Sequence, residues 1–151
     1  MTIDRHESPH QTRTVIETGV VRPLVIGSSA LAILGALPRD EIRDLLKVKP
    51  NGPMSRSAAA RVWKKADEIK RLGYAVSVKE RYPFTADIAA SCLLSQDVLG
   101  SIAVIGPSER IEAFGIEKAG SIVAKIARQI SAMSANPSLV KTTSRPLEVG
   151  E

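Results

Sequence analysis

Residues 73–111, GYAVSVKERYPFTADIAASCLLSQDVLGSIAVIGPSERI, constrain the fold more than any other stretch of the chain. The stretch opens on Gly73, a residue suited to closing a helix in the left-handed conformation. Tyr74, Val76 and Val78 then alternate with Ala75, Ser77 and Lys79, the period of a half-buried strand. Pro83 breaks the chain. Residues 88–94 and 99–105 are two apolar runs joined by Ser95-Gln96-Asp97, the pattern of an antiparallel hairpin. Pro107 ends the second run, and Ser108 with Glu109 supplies a cap and an acidic first turn for a helix. The segment carries no catalytic motif, so it builds a sheet that holds something.

The rest of the chain supplies the elements that cover such a sheet. Residues 11–18, with Thr12, Thr14, Val15, Ile16 and Thr18, read as a strand that Gly19 ends. Residues 22–27 read as a second extended piece, because Pro23 turns the residue before it away from helix. Ser28 or Ser29 caps a helix running to Leu37, apolar nearly all round and therefore buried, and Pro38 stops it. A short amphipathic helix starts at Arg39 or Asp40, with Ile42, Leu45 and Leu46 on one side; Asp40 as cap and Pro38 in the first turn are equal alternatives. Asn51-Gly52-Pro53 is a turn cluster. Ser55 or Ser57 opens a helix whose apolar positions Ala58, Ala59, Val62, Trp63, Ala66, Ile69 and Leu72 keep helical spacing. The last helix uses Ile111, Phe114, Ile122, Val123, Ile126, Ile130 and Met133. These elements place one domain over residues 1–134 and a polar, disordered tail over 135–151.

Composition narrows the function classes. At 151 residues with 44% hydrophobic content, the chain is long enough for one real core. Aromatic residues are only 3%, so the core is built from aliphatic side chains and alanine, and stacking platforms for single-stranded nucleic acid are disfavoured. The single cysteine, Cys92, cannot form an internal disulfide, which fits a reducing cytoplasm. No apolar run is long enough to cross a bilayer. The net charge of +5 favours anionic partners only weakly. The largest basic cluster, Arg61, Lys64, Lys65, Lys70 and Arg71, is diluted by Asp67 and Glu68 and reads as a solvated helix face.

Candidate chemistry is sparse. His6-Glu7-Ser8-Pro9-His10 matches the H-E-x-x-H spelling of zinc peptidases, but Pro9 lies inside the turn that would align the two histidines. A polar loop is the better reading. Cys92 sits mid-strand beside Leu93 and Leu94 with no histidine near it in sequence, as a structural thiol does. Gly27-Ser28-Ser29 leads into a helix N-terminus; it is either a plain cap or a turn presenting N–H groups to an anion. Asp87 and Asp97 each precede an apolar strand and read as solvent-facing strand ends. No enzyme, metal or cofactor is expected.

In order and spacing, these motifs resemble the effector-binding domain of IclR-type bacterial transcriptional regulators over most of residues 3–133. Asp4-Arg5-His6-Glu7 resembles the end of an early strand there. Residues 19–38, with Arg22-Pro23-Leu24, Gly27 and the Ala-Leu-rich helix, resemble its sheet-to-helix segment. Gly73-Tyr74-Ala75 with Glu80, Ile88-Ala89-Ala90, and residues 103–110 around Gly106-Pro107 resemble its second half. The resemblance implies an α+β, GAF-like domain: an antiparallel sheet flanked by helices, with a small-molecule pocket on one face.

It further implies an effector such as a small carboxylate or aromatic acid, assembly into dimers or tetramers, and regulation of transcription through a winged helix-turn-helix. That DNA-binding segment and the opening of the effector domain have no counterpart in these residues. The chain then reads as an excised fragment, a truncated gene product or a mis-started frame, not expected to bind an operator alone. Ligand-contacting positions of the family fall on Gly27, Ser28, Ser77, Asp87, Ala103 and Ile105. A family glycine near Phe84 or Thr85 and a proline at Ser91 are missing. Asp87 would repel an anionic ligand unless protonated or paired with an arginine, and Ala103 and Ile105 lack hydroxyl donors. A more apolar ligand, or a dimerisation module with a degenerate pocket, is therefore the alternative.

Overall fold

The computed structural model describes residues 1–21, 23–47, 55–80, 82–95 and 98–136. Three helices come first: α1 (Ser28–Ala36), α2 (Arg39–Lys47) and α3 (Arg56–Leu72). Strands β1 (Ala75–Val78), β2 (Thr85–Ser95) and β3 (Val98–Pro107) follow, then α4 (Ser108–Phe114) and α5 (Ile116–Ala135). The strands form an antiparallel sheet in the order β1-β2-β3. The fold is α+β, as expected.

The central strand β2 sorts its side chains by strand period between two helical layers. Ala86, Ile88, Ala90 and Cys92 pack with Tyr74, Ile111 of α4, and Ala119, Val123, Ala124 and Ala127 of α5. On the opposite face, Ala75 and Ala89 pack with Leu31 and Ala32 of α1 and Ile69 of α3. A third cluster joins Leu34, Ile42, Leu46, Val62 and Ala66, closing α1, α2 and α3 on one another. The helices come close where residues are small: a Cβ on Gly35 of α1 would stand 2.7 Å from Ile69 Cγ2 of α3.

Several boundaries are those the residues dictate. Ser55 is the N-cap of α3 and accepts from the Ala58 N–H at 3.3 Å. Gly73 closes that helix with φ 81°. The hairpin runs in register from Thr85 opposite Pro107 to Leu93 opposite Leu99, with an irregularity at Leu93/Ser95.

Other expectations fail. Residues 11–18 form no strand, and neither do residues 4–7. Instead the Gly19 N–H donates to the Thr2 carbonyl, and Arg5 donates to the Ile16 carbonyl, folding this β-like sequence into a loop closed on itself. Residues 24–27 are turn and bend rather than extended. The last helix is two: α4 and α5 meet at Gly115, whose φ of 98° no continuous helix allows. Ser108 does not cap α4; it is the first helical residue, and its N–H donates to the Phe84 carbonyl at 2.9 Å. Phe114, the last residue of α4, is exposed, and so are Ile122, Ile126 and Met133 of α5, whose sheet-facing stripe is made of smaller residues. Arg22, the Asn51-Gly52-Pro53 turn, Gln96, Asp97 and residues 137–151 of the expected tail lie outside the described residues; α5 itself extends through Ala135.

Candidate functional site

The face of the sheet turned toward α1 gathers the candidate residues. Neither serine caps α1. Gly27 takes the N-cap position with φ 83° and ψ 156°, a conformation that favours glycine, and no side chain of the local sequence caps the helix. The first turn of α1 also contains no acidic residue. The missing acceptor arrives from β2: the Ser28 N–H donates to Asp87 Oδ2 at 2.7 Å, across 59 positions of sequence. A carboxylate there meets both an orphan N–H and the positive end of the helix dipole, a charge-assisted arrangement. The reading of Asp87 as a solvent-facing strand end is thus corrected: it lies within β2, half-buried, tying the sheet to α1.

Strand register places the other candidates. Ser77 stands opposite Asp87, and Asp87 opposite Ile105, so the three form one row across the sheet. The next row is Ala75, Ala89 and Ala103. Gly27 approaches the same point: a Cβ on it would lie 3.7 Å from Asp87 Oδ2. The structure therefore brings Gly27, Ser28 and Asp87 together, with Ser77 and Ile105 beside them and Ala103 one row away. Ala103 is exposed and Ile105 half-buried.

Two polar groups at this face are already distinctive. Ser28 is fully buried, and its hydroxyl has no hydrogen-bond partner among the described residues. Ser77 is also buried, but its hydroxyl donates to Glu80 Oε2 at 3.2 Å. Glu80 accepts in turn from Lys65 Nζ at 2.5 Å, linking β1 to α3. Sequence reasoning assigned no site role to Lys65 or Glu80; they are 15 positions apart, and no local pattern joins them. A cleft of about 80 Å³ lies beside this link, lined by Leu31, Lys65, Ile69 and Tyr74 among others. It is far below the roughly 300–1,000 Å³ of typical small-molecule sites, and it includes none of the six candidate residues.

Burial and pairing place the remaining motifs. His6, Glu7 and His10 are exposed, and Glu7 pairs with Arg13 at 2.9 Å and Arg5 at 3.0 Å. The hydrogen bond from Arg13, supported by Arg5, holds the Glu7 carboxyl below its ordinary range. Among the described residues no group of three His, Cys, Asp or Glu side chains is placed to hold a metal ion. Cys92 is buried against the α5 layer, and burial pushes its thiol up, away from thiolate chemistry. In the basic cluster of α3, Arg61, Lys64, Lys70 and Arg71 are exposed. No described helix is long and apolar enough to cross a membrane.

Comparison with known proteins matches this architecture. The C-terminal domain of a protein described as a Vibrio cholerae transcriptional regulator superposes with a TM-score of 0.66 at 25% identity, over 83% of this chain and 75% of that one. An IclR-family regulator from a Rhodococcus species gives 0.71 at 25% identity, over 87% of this chain and 51% of that one. A regulator of the same family from Alicyclobacillus acidocaldarius gives 0.71 at 21% identity, over 87% and 54%. The chain thus spans about half the length of the two longer regulators. No curated protein sequence matches it. The family model of the bacterial transcriptional regulator IclR C-terminal region matches residues 1–132, and the chain belongs to that family.

Proposed function

We propose that this domain is the sensing and assembly part of an IclR-type regulator. A small organic effector binds the sheet face at the start of α1, and its binding shifts the geometry of a homo-oligomer that a linked DNA-binding domain reads. The carrying observation is the convergence of Gly27, Ser28, Ser77, Asp87 and Ile105, from separate elements, on one point of the sheet. Coupling of this kind is limited by the effector's differential affinity for the two quaternary states. The reading places the protein in the cytoplasm, gives it no catalytic step, and assigns DNA contact to the linked domain. A thermal-shift screen of small acids, amines and neutral metabolites tests it: a ligand present at 100 times its Kd raises stability by about 2.7 kcal/mol. Absence of stabilisation by every class at millimolar concentration sinks the reading.

The small cleft and the internal use of the Ser77 hydroxyl favour a second reading, a dimerisation module without a working pocket. Light scattering separates the two when combined with the screen. A dimer unresponsive to ligand supports the module, and a strict monomer removes its self-pairing form.

A further inference from the structure

We propose that the open edge of β3 pairs antiparallel with β3 of a second copy of this chain, joining two three-stranded sheets into one of six strands. The proposal rests on the assembly part of the reading above and gives that assembly its surface.

The ladder decides which groups this edge offers. The Ser108 N–H donates to the Phe84 carbonyl, one step past the pair of Thr85 and Pro107. Bonded pairs alternate along an antiparallel ladder. Gly106, Val104, Ile102 and Gly100 therefore bond to β2, while Ile105, Ala103, Ser101 and Leu99 turn their N–H and C=O groups outward. Among the described residues no other backbone group bonds to them. Edge strands are ordinarily blunted by charges or prolines. β3 runs for ten residues without a charge, and its only proline is its last residue.

The edge fits its own copy. Residues 11–18 have the composition of a covering strand, but the bonds from Gly19 to Thr2 and from Arg5 to Ile16 close them into their own loop. On a two-fold axis at Ile102, Leu99 stands opposite Ile105 and Ser101 opposite Ala103, so every outward N–H and C=O of the four meets its complement. No like charges are brought together. Such a contact is isologous and closes at two copies. The helical layer adds an apolar flank to the same edge. Gly120 and Ala124 of α5 lie toward Tyr74 and Gly73, at the start of β1. By helical spacing, Ile122, Ile126 and Met133 occupy the other flank of the buried stripe, the β3 side, and all three are exposed. The two-fold axis turns this flank toward its own copy, with the exposed Val104 opposite Gly100 across the join.

The experiment measures mass by light scattering and amide hydrogen exchange by NMR on the full chain, at micromolar and at millimolar concentration. Mass doubles at the higher concentration. The Ser101 and Ala103 amides then exchange about tenfold more slowly once about nine-tenths of the chain is paired, because exchange runs through the remaining monomer. Ala103→Pro removes one outward donor and leaves the ladder to β2 intact, so it keeps the wild-type far-UV spectrum and stays monomeric. A dimer whose Ser101 and Ala103 amides exchange freely overturns the proposal and leaves the assembly reading standing, as does a folded Ala103→Pro that still dimerises. A chain monomeric at both concentrations overturns both. In that monomer, protected amides would put a segment of the same chain on the edge, and free ones would leave it to a strand of another protein. Should Ala103→Pro not fold, the wild-type exchange decides alone.

Discussion

At the scale of single residues, packing against the sheet is set by what is absent from a side chain. Gly120 is buried on α5, and a Cβ built on it would lie 2.5 Å from Tyr74 Cζ and 2.7 Å from Tyr74 Cδ2. The Tyr74 ring is itself 8% exposed and fixed in the α5 core, so it cannot swing into solvent without opening that core. Gly120→Ala therefore overpacks the interface, at about 1–3 kcal/mol. The gain in helix propensity, about 0.5–1 kcal/mol, offsets only part of this. A net fall in the urea midpoint is expected, with partial recovery when Tyr74→Leu is combined with it, since touching residues couple. A fall that is simply additive in the double variant would show that the ring is not the obstacle. Gly120 was not legible as a contact, because glycine in a helix carries no apolar signal. Asp87 was legible as a candidate, but its partner was not. The bond to Ser28 depends on where α1 begins against the sheet, a tertiary fact with no local spelling.

At the scale of elements, sequence pattern was most reliable where the element carries its own punctuation. Ser55 and Gly73 bracket α3 as cap and exit because each satisfies backbone groups that any helix end leaves open. The hairpin of β2 and β3 was legible through its two apolar runs. Residues 11–18 had the composition of a strand and formed none, since β-propensity expresses itself only against a partner. The break between α4 and α5 was missed for the opposite reason: apolar residues continue at helical spacing through Gly115, and only the backbone reveals the turn. Gly115 serves both as C-cap of α4 and N-cap of α5, at φ 98° and ψ 113°, and its N–H donates to Glu112 and Ile111. An L side chain at that φ is strained, at about 1–3 kcal/mol. Gly115→Ala should lose stability of that order in urea unfolding while keeping its far-UV spectrum, since both helices remain intact. A variant as stable as the wild type would mean that the turn relaxes into a continuous helix.

At the scale of the whole molecule, β2 is the element both layers share. Its even-numbered residues 86–92 belong to the α4 and α5 core, while Ala89 and Asp87 belong to the side of α1. The two layers meet across the sheet, and Leu72 of α3 also packs against the α5 core, so the sheet's stiffness bears on whether a change on the proposed effector face is felt on the other. Ile88 is the decisive test position: it is 0% exposed, it faces the α5 layer, and it lies next in chain to Asp87. Ile88→Ala leaves a cavity and costs about 2–5 kcal/mol, a large share of a stability that for single domains is roughly 5–15 kcal/mol. The only tryptophan, Trp63, lies in α3 against the third cluster, on the other side of the sheet. Its fluorescence therefore reports on the layer that Ile88 does not touch. If the domain unfolds as one unit, the Trp63 transition and the far-UV circular dichroism transition coincide in urea, and Ile88→Ala moves both midpoints by the same amount. A Trp63 midpoint that stays in place while the circular dichroism midpoint falls would show two independent layers. Binding at the proposed effector face beside α1 would then have no route through the sheet to the exposed Ile122, Ile126 and Met133 of α5.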